Sequence, residues 1–307
     1  METSLIIRKV VTFTLLLFIF LFISGCSQDT SIQNPESRIQ DIGSRIQDLP
    51  IRIISLAPAY TETLIELGLK DRIVGVTPFS DYLKETEDIE KIGFYTQPSL
   101  EKIVSLKPDL VLVADYIGQE SLFRALERLG IKVVVFKREG VKDIFELVEE
   151  IGRLCSREKE ARKLLKKMKA TIDRIKRKVR GLERPRVYVE IGYNPLFTAG
   201  KGSHVDDLIK IAGGENIAKE IDKPYPRISQ EFIIQKDPQV IILPYMGRGY
   251  TKESVKKRSG WKHISAVKNN QVYDDIGTRA ITIASPNLIL KGLPELARRI
   301  HPEIKGF

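Results

Sequence analysis

Apolar and polar positions divide this 307-residue chain into three regimes. From Val10 to Ile23 the sequence is apolar almost without interruption, Thr12 and Thr14 excepted. Residues 27–50 are rich in Gln, Ser, Asp and Asn and carry a small tandem repeat, Ser37-Arg38-Ile39-Gln40-Asp41 and Ser44-Arg45-Ile46-Gln47-Asp48. That stretch has no apolar face and predicts a flexible tether. From residue 51 onward, short apolar runs alternate with amphipathic ones. Ile51–Leu56, Arg72–Val76, Asp109–Ala114 and Val133–Phe136 predict strands. Asp109–Ala114 shows no polar alternation, which predicts burial on both faces. Between them, Pro58 to near Gly68, Leu100–Leu106 and Ser121–Leu129 predict helices, the last closed by Gly130. Strand–helix alternation of this kind implies a largely parallel sheet.

Val141 to about Gly181 predicts helix, with a break near Cys155-Ser156. Leu164, Leu165, Met168, Ile172, Ile175 and Val179 follow one helical face, and a run of about 24 residues spans roughly 36 Å. Alternation then resumes with strands at Arg186–Ile191, Val240–Leu243 and Gln271–Asp275, and helices at Val205–Ala212 and about Pro286 to Ile300. The second half echoes the first. Ser99, Glu101, Ile103 and Pro108 recur as Ser229, Glu231, Ile233 and Pro238, each 130 residues on. More weakly, Leu64-Ile65-Glu66 and Gly68 recur as Leu208-Ile209-Lys210 and Gly213. The predicted fold is therefore α/β, with two Rossmann-like lobes of parallel sheet joined by one long rigid helix. The expected boundaries are a leader over 1–25, a tether over 26–50, a first lobe over 51–140, an interlobe helical region over 141–181 and a second lobe over 182–307.

The leader sets the compartment. Arg8 and Lys9 precede an apolar run too short for a spanning helix, which needs about 20 residues, but suited to a secretory signal. Ile23-Ser24-Gly25-Cys26 resembles a bacterial lipobox, in which small residues fit the signal peptidase and the cysteine thiol takes a diacylglycerol. An uncleaved anchor helix is the other reading and leaves the protein on the same, extracytoplasmic, side. With Cys26 acylated, Cys155 is the remaining cysteine, and its apolar neighbours Ile151 and Leu154 make it a buried structural thiol. The net charge of +10 raises nucleic acid as a partner. Interleaving of basic and acidic residues, as in Arg157-Glu158-Lys159-Glu160, and the want of a basic run with aromatics argue against it.

Candidate chemistry is sparse. The three histidines, His204, His263 and His301, occur outside any G-x-S-x-G or H-E-x-x-H pattern, so an enzyme lacks its nucleophile and base. Gly200-Lys201-Gly202-Ser203 lacks the spacing of a phosphate-binding loop. His204, near Asp206 and Asp207, is too thin a donor set for a metal receptor and reads as a cap or surface residue. Aromatic and polar residues in loops after predicted strands stand out instead: Tyr60, Phe79, Tyr82, Tyr95, Asp115, Tyr116, Tyr193, Phe197 and Tyr225. Open α/β sheets bind ligands beyond the carboxyl ends of their strands, and aromatics there suit a large, flat, partly apolar ligand. The plainer reading is that they cover the sheet ends. Glu101 and Glu231 each follow a potential serine cap by two residues. They are either first-turn acids favoured by the helix dipole or one exposed carboxylate per lobe, offered to arginines of a two-fold partner.

Ser55-Leu56-Ala57-Pro58-Ala59-Tyr60-Thr61-Glu62, Val74-Gly75-Val76 with Phe79-Ser80-Asp81-Tyr82, and Leu100–Val104 followed by Lys107–Val111 resemble the helical-backbone class of periplasmic binding proteins, which serves cobalamin, haem, siderophores and some metals. Its cobalamin-binding branch is the nearer likeness, through Gly192–Lys201, Gly213-Gly214-Glu215-Asn216-Ile217 and Pro224–Glu231. The resemblance implies the substrate-binding subunit of an ABC importer: a lipid-anchored monomer without enzymatic activity or resident cofactor. Its partners are a permease and ATPase complex, and its cleft between the lobes holds a small molecule, a corrinoid such as cobalamin. It further implies that Phe79, Tyr95, Phe197 and Tyr225 line that cleft and that Glu101 and Glu231 dock on the permease. Tyr95 and Tyr225 stand where the branch has tryptophan, and Arg279-Ala280-Ile281-Thr282-Ile283 replaces an acidic, aromatic final loop. Haem or a siderophore, whose carboxylate Arg279 would pair, is the alternative cargo. A lipid-anchored scaffold without cargo is the alternative of another class.

Overall fold

A computed structural model describes residues 51–94, 96–115, 120–136, 140–244 and 251–306. The leader, the tether with Cys26, Tyr95 and Tyr116 lie outside the described residues. The described residues all belong to one compact unit, Ile46–Phe307.

The first lobe runs β1 (Ile53–Ser55), α1 (Pro58–Glu66), β2 (Ile73–Val76), β3 (Glu90–Lys91), a small hairpin of β4 (Gly93–Phe94) and β5 (Gln97–Pro98), α2 (Leu100–Ser105), β6 (Leu110–Ala114), α3 (Glu120–Arg128) and β7 (Lys132–Phe136). Its sheet has the order β3-β2-β1-β6-β7, every neighbouring pair parallel. All five residues of β6 are buried, as its unbroken apolar run requires. Next come α4 (Val141–Leu154) and α5 (Glu158–Lys178), separated by a break in which Ser156 takes a left-handed φ of 54°. The expected long connector is thus α5 alone, 21 residues or about 32 Å.

The second lobe comprises β8 (Arg186–Gly192), β9 (Phe197–Thr198), α6 (His204–Ile211), β10 (Glu215–Asn216), α7 (Gln230–Lys236), β11 (Val240–Ile242), α8 (Lys252–Lys256), α9 (Ser265–Lys268), β12 (Val272–Tyr273), α10 (Thr278–Thr282), a π turn at Leu288–Gly292 and α11 (Leu293–Ile300). Its sheet order is β10-β8-β11-β12, again parallel, with β9 antiparallel to β8. This order repeats β2-β1-β6-β7 of the first lobe. The sequence echo follows the same equivalence: Glu101 and Glu231 open the helices that precede β6 and β11, and the weaker echo falls on α1 and α6.

Helices cover both faces of each sheet. The inner faces share one continuous core: Ile53 and Leu110 of the first sheet, Val187 and Val240 of the second, Leu147 and Ile151 of α4, and Met168 and Ile175 of α5. Separate clusters fill the outer faces, around Val111 and Leu126 in one lobe and Trp261 and Tyr188 in the other. Polar bonds add to this joint. Asp207 of α6 accepts the Val141 N–H at the start of α4, at 2.9 Å.

Candidate functional site

A cavity of about 320 Å³ takes its walls from both lobes. Pro58 and Ala59 open α1 just beyond the end of β1, Ile191 closes on it from β8, and Thr282, Ile283 and Ala284 follow from the C-terminal end of α10 and the residues after it. Strand order reverses direction between β1 and β6 and between β8 and β11. A ligand crevice opens at such reversals in parallel sheets, so topology puts the cavity where it is.

His204, Val205 and Tyr225 complete the wall. Ser203 caps α6, its Oγ accepting the Asp206 N–H at 3.1 Å, which sets His204 at the first helical position. Tyr225 rides on a strap pinned at both sides: the Gly200 N–H donates to the Pro224 carbonyl at 2.9 Å and the Thr198 N–H to the Pro226 carbonyl at 3.2 Å. Only glycine fits at 200, since a Cβ there would meet the Lys223 carbonyl oxygen at 2.2 Å. The Tyr225 hydroxyl lies 3.1 Å from His204 Nδ1. His204 is 5% exposed, which corrects the expectation of a cap or surface residue. An imidazole and a phenol thus meet in an otherwise mainly apolar wall. Both groups hydrogen-bond a polar substituent, and both ligate transition metals. Among the described residues no group of three His, Cys, Asp or Glu side chains is arranged to hold a bare metal ion.

A buried carboxylate ties the lobes. Glu62 of α1 is 5% exposed. It accepts hydrogen bonds from the hydroxyls of Tyr82 and Ser285 and, at 3.1 Å, from the Asn287 amide. Burial and the neighbouring Glu62 carboxylate push the Tyr82 phenol well above its ordinary value. The Arg279 guanidinium lies 3.9 Å over the Tyr82 ring. Glu62 thereby anchors the chain just past Thr282–Ala284, the segment that forms one cavity wall.

Of the predicted ligand residues, Tyr225 lines the cavity. Tyr60 is fully buried, its ring 5.3 Å from Phe136, and backs the wall instead of forming it, because α1 turns it toward the core. Phe79 is 46% exposed and makes an edge-on pair with Phe94 at 5.5 Å. Phe197 is half-buried on β9, and Asp115 is exposed. Arg279 is exposed and engaged with Tyr82. Glu101 and Glu231 are exposed in the first turns of α2 and α7, whose caps Ser99 and Ser229 each accept a backbone N–H at 3.2 Å. Its own backbone N–H and Ser229 hold the Glu231 carboxyl below the usual range. The cavity role of His204 and the interlobe tie made by Glu62 are not expected from the sequence, whereas Thr282 and Ile283 belong to the stretch that resembles the family's final loop.

Comparison with known proteins decides the family: residues 53–276 match the periplasmic binding protein family. The chain belongs to it. An uncharacterized ABC transporter substrate-binding lipoprotein of Bacillus subtilis (strain 168) is 32% identical over 259 residues, covering 82% of this chain and 80% of that one. The vitamin B12-binding protein of Salmonella choleraesuis (strain SC-B67) is 30% identical over 239 residues, 78% of this chain and 86% of that one. Among solved structures, the periplasmic heme-binding protein RhuT of Roseiflexus sp. RS-1, in apo form, superposes with a TM-score of 0.73. It is 21% identical and covers 82% of this chain and 98% of that one, a likeness of fold. In this periplasmic binding protein the His204–Tyr225 pair forms the polar part of the cavity wall.

Proposed function

We propose that this protein is the extracytoplasmic substrate-binding subunit of an ABC importer, that it carries a corrinoid such as cobalamin, and that it is held to the membrane through acylated Cys26. The leader ends at residue 25 and a tether over 26–50 leads to lobes over 51–140 and 182–307, with the helical region 141–181 between. The observation that carries the reading is the interlobe cavity, apolar over most of its wall, at the strand-order reversals of both sheets. Its volume is at the small end for ligand sites, so it takes one edge of a macrocycle. The similarity to a B12-binding protein at 30% identity supports the cargo. Glu101 and Glu231, exposed on topologically equivalent helices, are the docking carboxylates for permease arginines, one per lobe.

The His204–Tyr225 pair favours a second cargo, haem, whose iron accepts either side chain as an axial ligand. Titration of the chain from residue 27 onward with cyanocobalamin and with hemin, by calorimetry and absorption, separates the two. Tight one-to-one binding of cyanocobalamin supports the corrinoid. A hemin spectrum that changes on Tyr225→Phe and His204→Ala transfers the cargo to haem. Binding of neither refutes a tetrapyrrole cargo.

A further inference from the structure

The excess positive charge of this chain is concentrated on one helix. Between Glu158 and Arg180 there are eleven Lys and Arg against three Asp and Glu, a net of +8 out of +10 for the whole chain. Charges alternate only at the start of the stretch, where acids suit the helix N-terminus; from Arg162 to Lys169 there are five cations and no acid.

Helical geometry sorts them onto one side. Ala161, Leu164, Met168, Ile172 and Ile175 are the buried seam of α5. Lys163, Lys166, Lys167, Arg174 and Arg177 are exposed, and at 100° per residue they fall on the opposite side. Arg157, just before the stretch, pairs with Glu160 at 3.8 Å. Arg162 and Lys166, and Lys163 and Lys167, are like-charged neighbours four residues apart, an arrangement that opposes helix formation. The helix dipole accounts for cations in the last turn but not in the middle ones. Folding alone gives no reason for this row.

We infer that the exposed face of α5 is a docking surface for anionic phospholipid headgroups. From Arg162 to Arg177 the row extends about 22 Å along a straight helix, which matches an extended surface rather than a pocket. No aromatic or large aliphatic residue is exposed within it, so it neither inserts into the acyl layer nor stacks on bases. What remains is attraction to a negatively charged surface, which each Lys or Arg near it strengthens. The tether of 24 residues between Cys26 and Ile51 has a reach of about 27 Å. It keeps the domain near the bilayer, provided the acylation proposed above.

The test uses the chain from residue 27 onward, which lacks the acylated cysteine, so that failure of the anchor and failure of the surface are distinguishable. Sedimentation with vesicles of phosphatidylcholine containing one-third phosphatidylglycerol is expected to retain the protein at 50 mM salt and release it at 500 mM. Vesicles of phosphatidylcholine alone retain none. Lys163→Gln with Lys166→Gln and Lys167→Gln lowers retention by about two orders of magnitude. Ligand affinity is unchanged and the melting temperature is unchanged or higher, as relief of like-charge contacts requires. Equal retention by uncharged vesicles, or a triple variant that binds like the parent, overturns the inference. So does retention by a soluble polyanion such as heparin without retention by anionic vesicles.

Discussion

Glu62→Ala tests whether the buried carboxylate holds the cavity wall. The substitution leaves three donors without their acceptor: the Tyr82 and Ser285 hydroxyls and the Asn287 amide. Ser285 is fully buried, whereas Tyr82 and Asn287 are half-buried and can recruit water. A buried donor stripped of its partner costs about 1–3 kcal/mol, and a partly solvated one less, so the whole change is about 3–5 kcal/mol. For a unit of this size that lowers the melting temperature by about 6–20 °C. The second consequence is local. Thr282–Ala284 lose their tie to α1, so ligand affinity falls although no lining residue has changed. Ser285→Ala alone removes one bond and costs about 1 kcal/mol. Because the two residues act as a unit, the double variant is less destabilised than the sum, by about 0.5–3 kcal/mol. Thermal melts and ligand titrations on the four proteins measure all of this. A melting temperature within 2 °C of the parent, or strict additivity, refutes the anchoring role.

Three further outcomes are expected. Glu190 and Arg258 form a buried bidentate pair at 2.6 and 2.8 Å, with the guanidinium over the Tyr193 and Trp261 rings; Glu190→Ala strands that cation and costs about 3–5 kcal/mol in chemical denaturation. Cys155, expected to be buried, is half-buried; burial still pushes its thiol up to about 12, so at pH 8 the native protein reacts with a soluble maleimide at least tenfold more slowly than the denatured chain, and equal rates contradict that shielding. Glu101→Ala with Glu231→Ala leaves ligand affinity intact and abolishes stimulation of the transporter ATPase. Because the Glu231 carboxyl is held below the usual range, its charge is present at neutral pH and docking through it fails only as the pH falls through that lowered value.

The features that the sequence carries locally are those it disclosed. The run Leu110–Ala114 has no polar alternation and became a strand buried on both faces. Ser99 and Ser229 are capping residues with an acid two positions on, and both caps formed. The repeat at an offset of 130 residues maps onto equivalent helices because each copy specifies its own lobe. The two-residue strands β9 and β10 are too short for any periodicity. Ser285 is 223 residues from Glu62, so their bond depends on how the lobes meet. His204 read as exposed because helix starts usually are; the strap carrying Tyr225 is what encloses it. The one-sided charge of α5 is hidden in the linear sequence for a different reason. Arg157-Glu158-Lys159-Glu160 alternates along the chain, and only the helical projection reveals a one-sided row beyond it.

The undivided core beneath the two sheets bears on how a transporter tells a full carrier from an empty one. Separating the lobes widely would expose Leu147, Met168 and Ile175, which belong to the core that both sheets share, so under the proposed docking through Glu101 and Glu231 arrival of cargo would leave that face nearly as it was. A vacant carrier would then compete with a laden one for the same permease. Traffic at a fixed supply of cargo would rise with the number of carriers only until vacant ones crowd the gate, and would decline thereafter.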